Sequence, residues 1–114
     1  MKIVEPALIP VPGGKRIEEY IGRVNTGDEA VSIARMVAPP GWDEPAQTPS
    51  FDEYTVVLDG VLIIEMASGT HQVSAGQAIV VSAGERVRYR TEEGATYVAV
   101  CLPAFSLDGA SRDE

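Results

Sequence analysis

Residues 51–60, FDEYTVVLDG, run directly into residues 61–66, VLIIEM, and the reading of this stretch decides the fold. It reads as strand, tight turn, strand. Asp59-Gly60 is the turn signal: glycine supplies the positive φ that a two-residue hairpin loop needs, and aspartate tolerates it. Period-two alternation puts Glu53, Thr55 and Val57 on one face and Tyr54, Val56 and Leu58 on the other. If the first face lines a barrel, Glu53 points into its cavity. A carboxylate among β-branched residues needs a reason, because an unpaired buried charge costs several kcal/mol or shifts its pKa.

Upstream of this stretch, residues 38–49, APPGWDEPAQTP, form a long proline-rich connection. Its Trp42 is expected to cap the core or to form the lip of a pocket, capping being the commoner use. Residues 30–37 read as a strand whose one charged side chain, Arg35, either enters the cavity or snorkels to solvent. Residues 25–29 are a turn cluster, and residues 16–24 are a short strand or a helical turn, with strand preferred. Residues 2–14 carry Pro6, Pro10, Pro12, Gly13 and Gly14, so they form at best an edge strand or an extended arm. That arm either pairs with a partner subunit or lies on its own barrel.

Downstream, Ser68-Gly69 turns the chain into a strand over residues 70–73. The turns SAGQ (74–77) and SAGE (82–85) flank the apolar strand 78–81. Residues 86–91 alternate cleanly, with Arg86, Arg88 and Arg90 on one face and Val87, Tyr89 and Thr91 on the other. The Arg row reads as a solvated face paired with acids such as Glu92 and Glu93 rather than as an anion site. Residues 96–102 are the last strand, ended by Pro103, and a polar, loosely held tail follows. Short strands with turns every eight to twelve residues or so indicate a sandwich or a barrel.

A chain of 114 residues fits one domain. Its single cysteine, Cys101, excludes an intrachain disulfide and suits a reducing compartment. The formal charge of −8 argues against nucleic acid as a partner. The first residues lack the apolar core and cleavage site of a signal peptide. No apolar run approaches the ~18 residues of a membrane span. The expected setting is cytoplasmic, without nucleic-acid or membrane partners.

With its hairpins placed, the chain resembles the small single-domain cupins. The first cupin motif ends in Glu, six residues and Gly, and Glu53 and Gly60 stand at that spacing. The second motif opens with Gly, five residues and Pro-x-Gly. Gly76 and Ser82-Ala83-Gly84 stand so, with Ser in place of Pro. The resemblance covers residues 30–103. It implies an all-β cupin jelly-roll β-barrel (double-stranded β-helix) forming one domain over residues 1–114. Within it, 1–29 would be an N-terminal arm and edge strands, 30–103 the barrel core and 104–114 a polar tail.

The resemblance also implies a metal site of three His and one Glu, and here the sequence departs from it. The first-motif histidines fall on Gln47 and Pro49, or on Ala46 and Thr48 at the alternative spacing. The second-motif histidine falls on Val87 and its asparagine on Thr91. The one histidine, His71, lies between the motifs. Only Glu53 remains, with Gln47 a poor substitute, and one carboxylate plus one amide holds a first-row metal weakly. No cofactor is expected, and a divalent metal at Gln47 and Glu53 is disfavoured.

Arg35, Trp42, Gln47, Glu53, Thr55, Val87, Tyr89, Thr91 and Cys101 are the candidate pocket residues. Cys101, inside the apolar run YVAVCL, is expected to be a small buried hydrophobe before a ligand or nucleophile. A desolvated Glu53 would have a raised pKa, and with Tyr89 as hydrogen-bond donor it forms the candidate catalytic pair. Two functions follow. One is a small-molecule-binding cupin without the three-His metal site. The other is a small cupin enzyme of isomerase, dehydratase or cyclase type, with Glu53 as general acid and base. The expected partners are a small-molecule ligand and, in a homodimer, a second copy.

Overall fold

The computed structural model describes residues 1–112. Eight strands form in chain order: β1 (Ala7–Ile9), β2 (Arg16–Ile21), β3 (Ser32–Ala38), β4 (Asp52–Met66), β5 (Gly69–Ser74), β6 (Ala78–Val81), β7 (Val87–Arg90) and β8 (Ala95–Leu102). A helical turn, α1 (Leu107–Ala110), follows them.

The Asp59-Gly60 hairpin expected from the sequence does not form. β4 runs unbroken through it for 15 residues. Gly60 does adopt positive φ, +75°, but it spends that freedom on a bulge. The pairing with β8 goes from Val57↔Tyr97 to Asp59↔Thr96, which leaves Leu58 as an extra residue on β4. A bulge bends and twists a strand, and here it carries β4 from one sheet into the other. Up to Gly60 β4 pairs with β8 and β6; from Val61 onward it pairs with β5 and β7. The actual hairpin comes at Ala67-Ser68, between the paired residues Met66 and Gly69.

The remaining strands complete one sheet in the order β1-β2-β3-β8-β4, every pair antiparallel. The turns SAGQ and SAGE close by the same device. In each, the backbone N–H of the fourth residue donates to the serine carbonyl, and its side-chain oxygen accepts from the serine N–H, at 2.9 Å for Gln77 and 2.8 Å for Glu85. The alternation in β4 holds: Glu53, Thr55 and Val57 are buried, while Tyr54, Val56 and Leu58 are exposed. The main core gathers Trp42, Val57, Leu62, Ile64, Val81, Val87, Tyr89 and Tyr97 between the sheets.

The tail differs from its expected looseness. Phe105 packs on Phe51, with ring centroids 5.7 Å apart, and Ala110 is fully buried beside them. Ser106 caps α1 by accepting from the Gly109 N–H. A phenylalanine and an alanine with apolar partners outweigh the polarity of their neighbours. Residues 113–114, the end of the expected tail, lie outside the described residues.

Of the glycines, Gly60 leaves least room for a side chain. A Cβ there would come within 2.1 Å of the Gly94 carbonyl oxygen, whereas at Gly76, also at positive φ, it would meet open space. Gly76→Ala should therefore cost only the left-handed conformation, about 1–2 kcal/mol. Gly60→Ala should cost at least about 3 kcal/mol. Urea denaturation of both variants measures the difference.

Candidate functional site

A cavity of about 40 Å³, room for about three waters, opens between the sheets. β4 brings Glu53 into its wall, β7 brings Tyr89, and β8 brings Tyr97, Ala99 and Cys101. Ile17 of β2 and Ala34 and Met36 of β3 supply an apolar side.

Glu53 is the polar centre of this wall, 8 % exposed. Tyr89 donates its hydroxyl to Glu53 Oε1 at 2.8 Å. The Cys101 thiol stands 3.8 Å from Oε2, a weak donor at long range. Burial raises the Glu53 pKa above the ordinary carboxylate value; the Tyr89 hydrogen bond opposes that shift without cancelling it. The same burial, reinforced by Glu53, raises the pKa of both Tyr89 and Cys101. Cys101 is thus held as a thiol, far from the thiolate a nucleophile needs.

Of the residues expected in the pocket, Gln47, Glu53, Tyr89 and Cys101 line the cavity together. The other five do not reach it. Arg35 turns outward from β3 and donates to Glu18 at 2.8 Å, the outcome that solvation of a guanidinium favours. Thr55 is buried deeper along β4, between the positions of Ile79 and Ala99. Val87 joins the main core while its backbone N–H and C=O bridge to Gln47. Thr91 caps a turn, donating to the Val61 carbonyl at 2.6 Å and accepting from the Gly94 N–H at 3.0 Å. Trp42 packs in the core beside the cavity and lines an adjoining recess.

Sequence reasoning missed three charged groups at the site: Lys15, Glu44 and Arg112. Glu44 lies 3.7 Å from Lys15 Nζ and accepts from Arg112 Nη2 at 3.2 Å. Arg112 Nε also donates to Gln47 Oε1 at 3.3 Å. Strand periodicity is silent on all three, since each comes from a connection or from the tail. The available signals were the Gly13-Gly14 turn, which delivers Lys15 to the start of β2, and the position of Glu44 three residues before Gln47.

The outer Arg row is neutralised, though mainly by acids other than those expected. Glu65 accepts from Arg88 at 2.9 Å and from Arg90 at 2.7 Å, Asp43 also bonds Arg88, and Glu92 reaches Arg90 at 3.6 Å. His71 lies exposed on β5, sharing a hydrogen bond with Ser68. Among the described residues, no three His, Cys, Asp or Glu side chains gather to hold a metal. None of the described helices is long and apolar enough to cross a membrane.

Comparison with solved structures bears on the fold. The oxalate decarboxylase of Bacillus subtilis superposes with a TM-score of 0.78, at 17 % identity over 94 % of this chain and 30 % of that one. An RmlC-like cupin from Shewanella frigidimarina gives 0.75, at 11 % identity over 87 % and 85 %. KdgF from a Halomonas species gives 0.74, at 13 % over 87 % and 89 %. The protein therefore has the cupin jelly-roll fold. No family model matches the chain. Among curated proteins, the endoribonuclease YbeY of Myxococcus xanthus is 50 % identical over 100 residues, 86 % of this chain. The chain spans about a third of that relative's length, 34 %.

The raised Glu53 pKa has a thermodynamic consequence. The folded state binds its proton more tightly than the unfolded chain does, so this contribution to stability is complete below the unfolded value of 4.5. It is lost as pH rises through the folded pKa. Glu53→Gln removes the titration and keeps an acceptor for Tyr89. The stability of the variant relative to wild type should rise steadily as pH climbs above 4.5, in urea melts taken from pH 4 to pH 8. A difference independent of pH would place the carboxylate elsewhere.

Proposed function

We propose that the chain is a small-molecule-binding cupin whose ligand sits in the barrel cavity against Glu53 and Tyr89, without a resident metal. One observation carries this reading: a buried carboxyl group with raised pKa faces a cavity whose other side is apolar. The raised pKa favours the protonated carboxyl, which donates a hydrogen bond to a ligand oxygen, while Ile17, Ala34 and Met36 cover a short apolar body. The donor set around Glu53 does not fit a cupin metal centre. Besides Glu44, which Lys15 and Arg112 already engage, it offers two phenols, an amide and a thiol held in its protonated form, with no imidazole. Elemental mass spectrometry of the purified protein should find substoichiometric metal; tightly held stoichiometric metal overturns this part of the reading.

Binding is tested with a panel of three- to five-carbon aldehydes, ketones and acids (roughly the size range that fits such a cavity) by saturation-transfer NMR. Signals in the wild type should vanish in Ala34→Leu, which fills the apolar wall. Glu53→Gln should weaken binding about tenfold, the worth of one hydrogen bond. Binding indifferent to both changes would mean that the ligand sits elsewhere.

An acid–base enzyme is the second reading, favoured by the 2.8 Å contact between Tyr89 and Glu53. In that case Glu53→Gln abolishes turnover and leaves most of the affinity.

RNA cleavage, which the name of the Myxococcus relative describes for that protein, is not what we propose for this barrel. The charge of −8 and the engagement of Arg88 and Arg90 by acids both disfavour docking on a phosphate backbone. As for assembly, we propose a homodimer through the outer sheet face. Tyr54, Val56, Leu58, Val80 and Leu102 are all at least 40 % exposed there, an apolar area of the kind that marks a contact surface. Arg35 and Glu18, paired on neighbouring strands of the same sheet, give it both signs of charge, which suits a two-fold contact. Light scattering at micromolar concentration should report a dimer, and Val56→Glu should yield a folded monomer. A wild-type monomer refutes the assembly.

A further inference from the structure

Lys15 is buried at the junction of two recesses. Its side chain is 6 % exposed and lines both the Glu53 cavity and the recess beside Trp42. Nζ lies 4.3 Å over the Trp42 ring centroid and donates to the Tyr97 hydroxyl at 3.2 Å. Its acidic neighbour, Glu44, stands 3.7 Å away and already accepts from Arg112 at 3.2 Å. Glu44 therefore keeps a cationic partner when Lys15 is neutral. Burial, aided by Arg112, lowers the Lys15 pKa from its ordinary value against the opposing pull of Glu44 and Glu53. An amine freed of its proton in a desolvated pocket is a nucleophile towards carbonyl carbon.

We propose that Lys15 captures a small aldehyde or ketone in the cavity as an imine. This deepens the binding reading above and rests on it. Nζ attacks the carbonyl carbon, a C–N bond forms and the C=O π pair moves to oxygen. The Tyr97 hydroxyl relays one proton from nitrogen to that oxygen, giving a neutral carbinolamine. The Glu53 carboxyl supplies a second proton to the hydroxyl group, water departs, and a protonated imine remains beside the Glu53 carboxylate. Room for about three waters restricts the substrate to a few carbon atoms, and the apolar side of the wall suits an unbranched hydrocarbon chain.

The chain has two lysines, Lys2 and Lys15, which makes the test internally controlled. The protein is treated with substoichiometric propanal and sodium cyanoborohydride, and the propylated sites are followed over time by peptide mass spectrometry. Lys15 should be labelled at least tenfold faster than the exposed Lys2 and the terminal amine, although burial alone would make it slower. Ala34→Leu should abolish the preference. Lys15→Arg, which keeps a cation over Trp42, should show no label at position 15 and an unchanged circular dichroism spectrum. Labelling of Lys15 no faster than Lys2 overturns the imine. Saturation-transfer NMR with propanal on the same sample then separates the two readings: a signal leaves the binding cavity standing, and silence across the whole carbonyl and acid panel removes that as well.

Discussion

The structure depends on a single strand that belongs to two sheets. β4 supplies ladder partners to β6 and β8 along its first half and to β5 and β7 along its second. Its continuity is what holds the barrel closed. The bend that makes this possible is one surplus residue, Leu58, followed by a glycine whose missing Cβ lets the Gly94 carbonyl close on it. A hairpin at the same place would have put residues 61–66 against residues 52–58. The bulge instead carries them across to form the opposite wall, and Glu53 and Tyr89 then face each other across the interior.

Two buried carboxylates show how partners decide the role of a charge. Glu19 is 3 % exposed, and its Oε2 accepts from the backbone N–H groups of Val24 and Asn25 at 3.0 and 2.9 Å. Those donors belong to the turn that links β2 to β3, so the side chain closes the loop. Glu53 has one hydroxyl and a distant thiol in place of backbone donors, and it looks onto open volume. Burial therefore wins at Glu53 and favours its protonated form. Backbone N–H groups hold the first side chain in its loop, whereas a tyrosine hydroxyl holds the second against the cavity.

Around Glu53 the site combines residues of very different legibility. Tyr89 was readable because strand alternation assigns it a face, Gln47 because motif spacing placed it, and Cys101 only as a member of the apolar last strand. Arg35 takes the solvent side of the two placements open to it: it marks the outer face of β3, where the nearby Glu18 and water both reward a guanidinium. Val87 and Thr91 share the inward face with Tyr89, yet one fills the core and the other caps a turn. Alternation states that a side chain is inside. It does not state whether the space in front of that side chain is filled.

The sequence by itself determined the all-β class, most of the strands and turns, and the inward aim of Glu53. Each of these rests on local chemistry: period-two burial, glycine and proline at turns, and the identity of the residues themselves. Tertiary structure alone decided that Asp59-Gly60 is a bulge, that residues 104–112 pack on the barrel, and that Lys15, Glu44 and Arg112 meet at its cavity. Those outcomes depend on contacts between segments as much as 82 residues apart, from Lys15 to Tyr97, and such distances leave no periodic trace. A glycine at positive φ satisfies a turn and a bulge equally well, and only the strands that come to lie beside it choose between them.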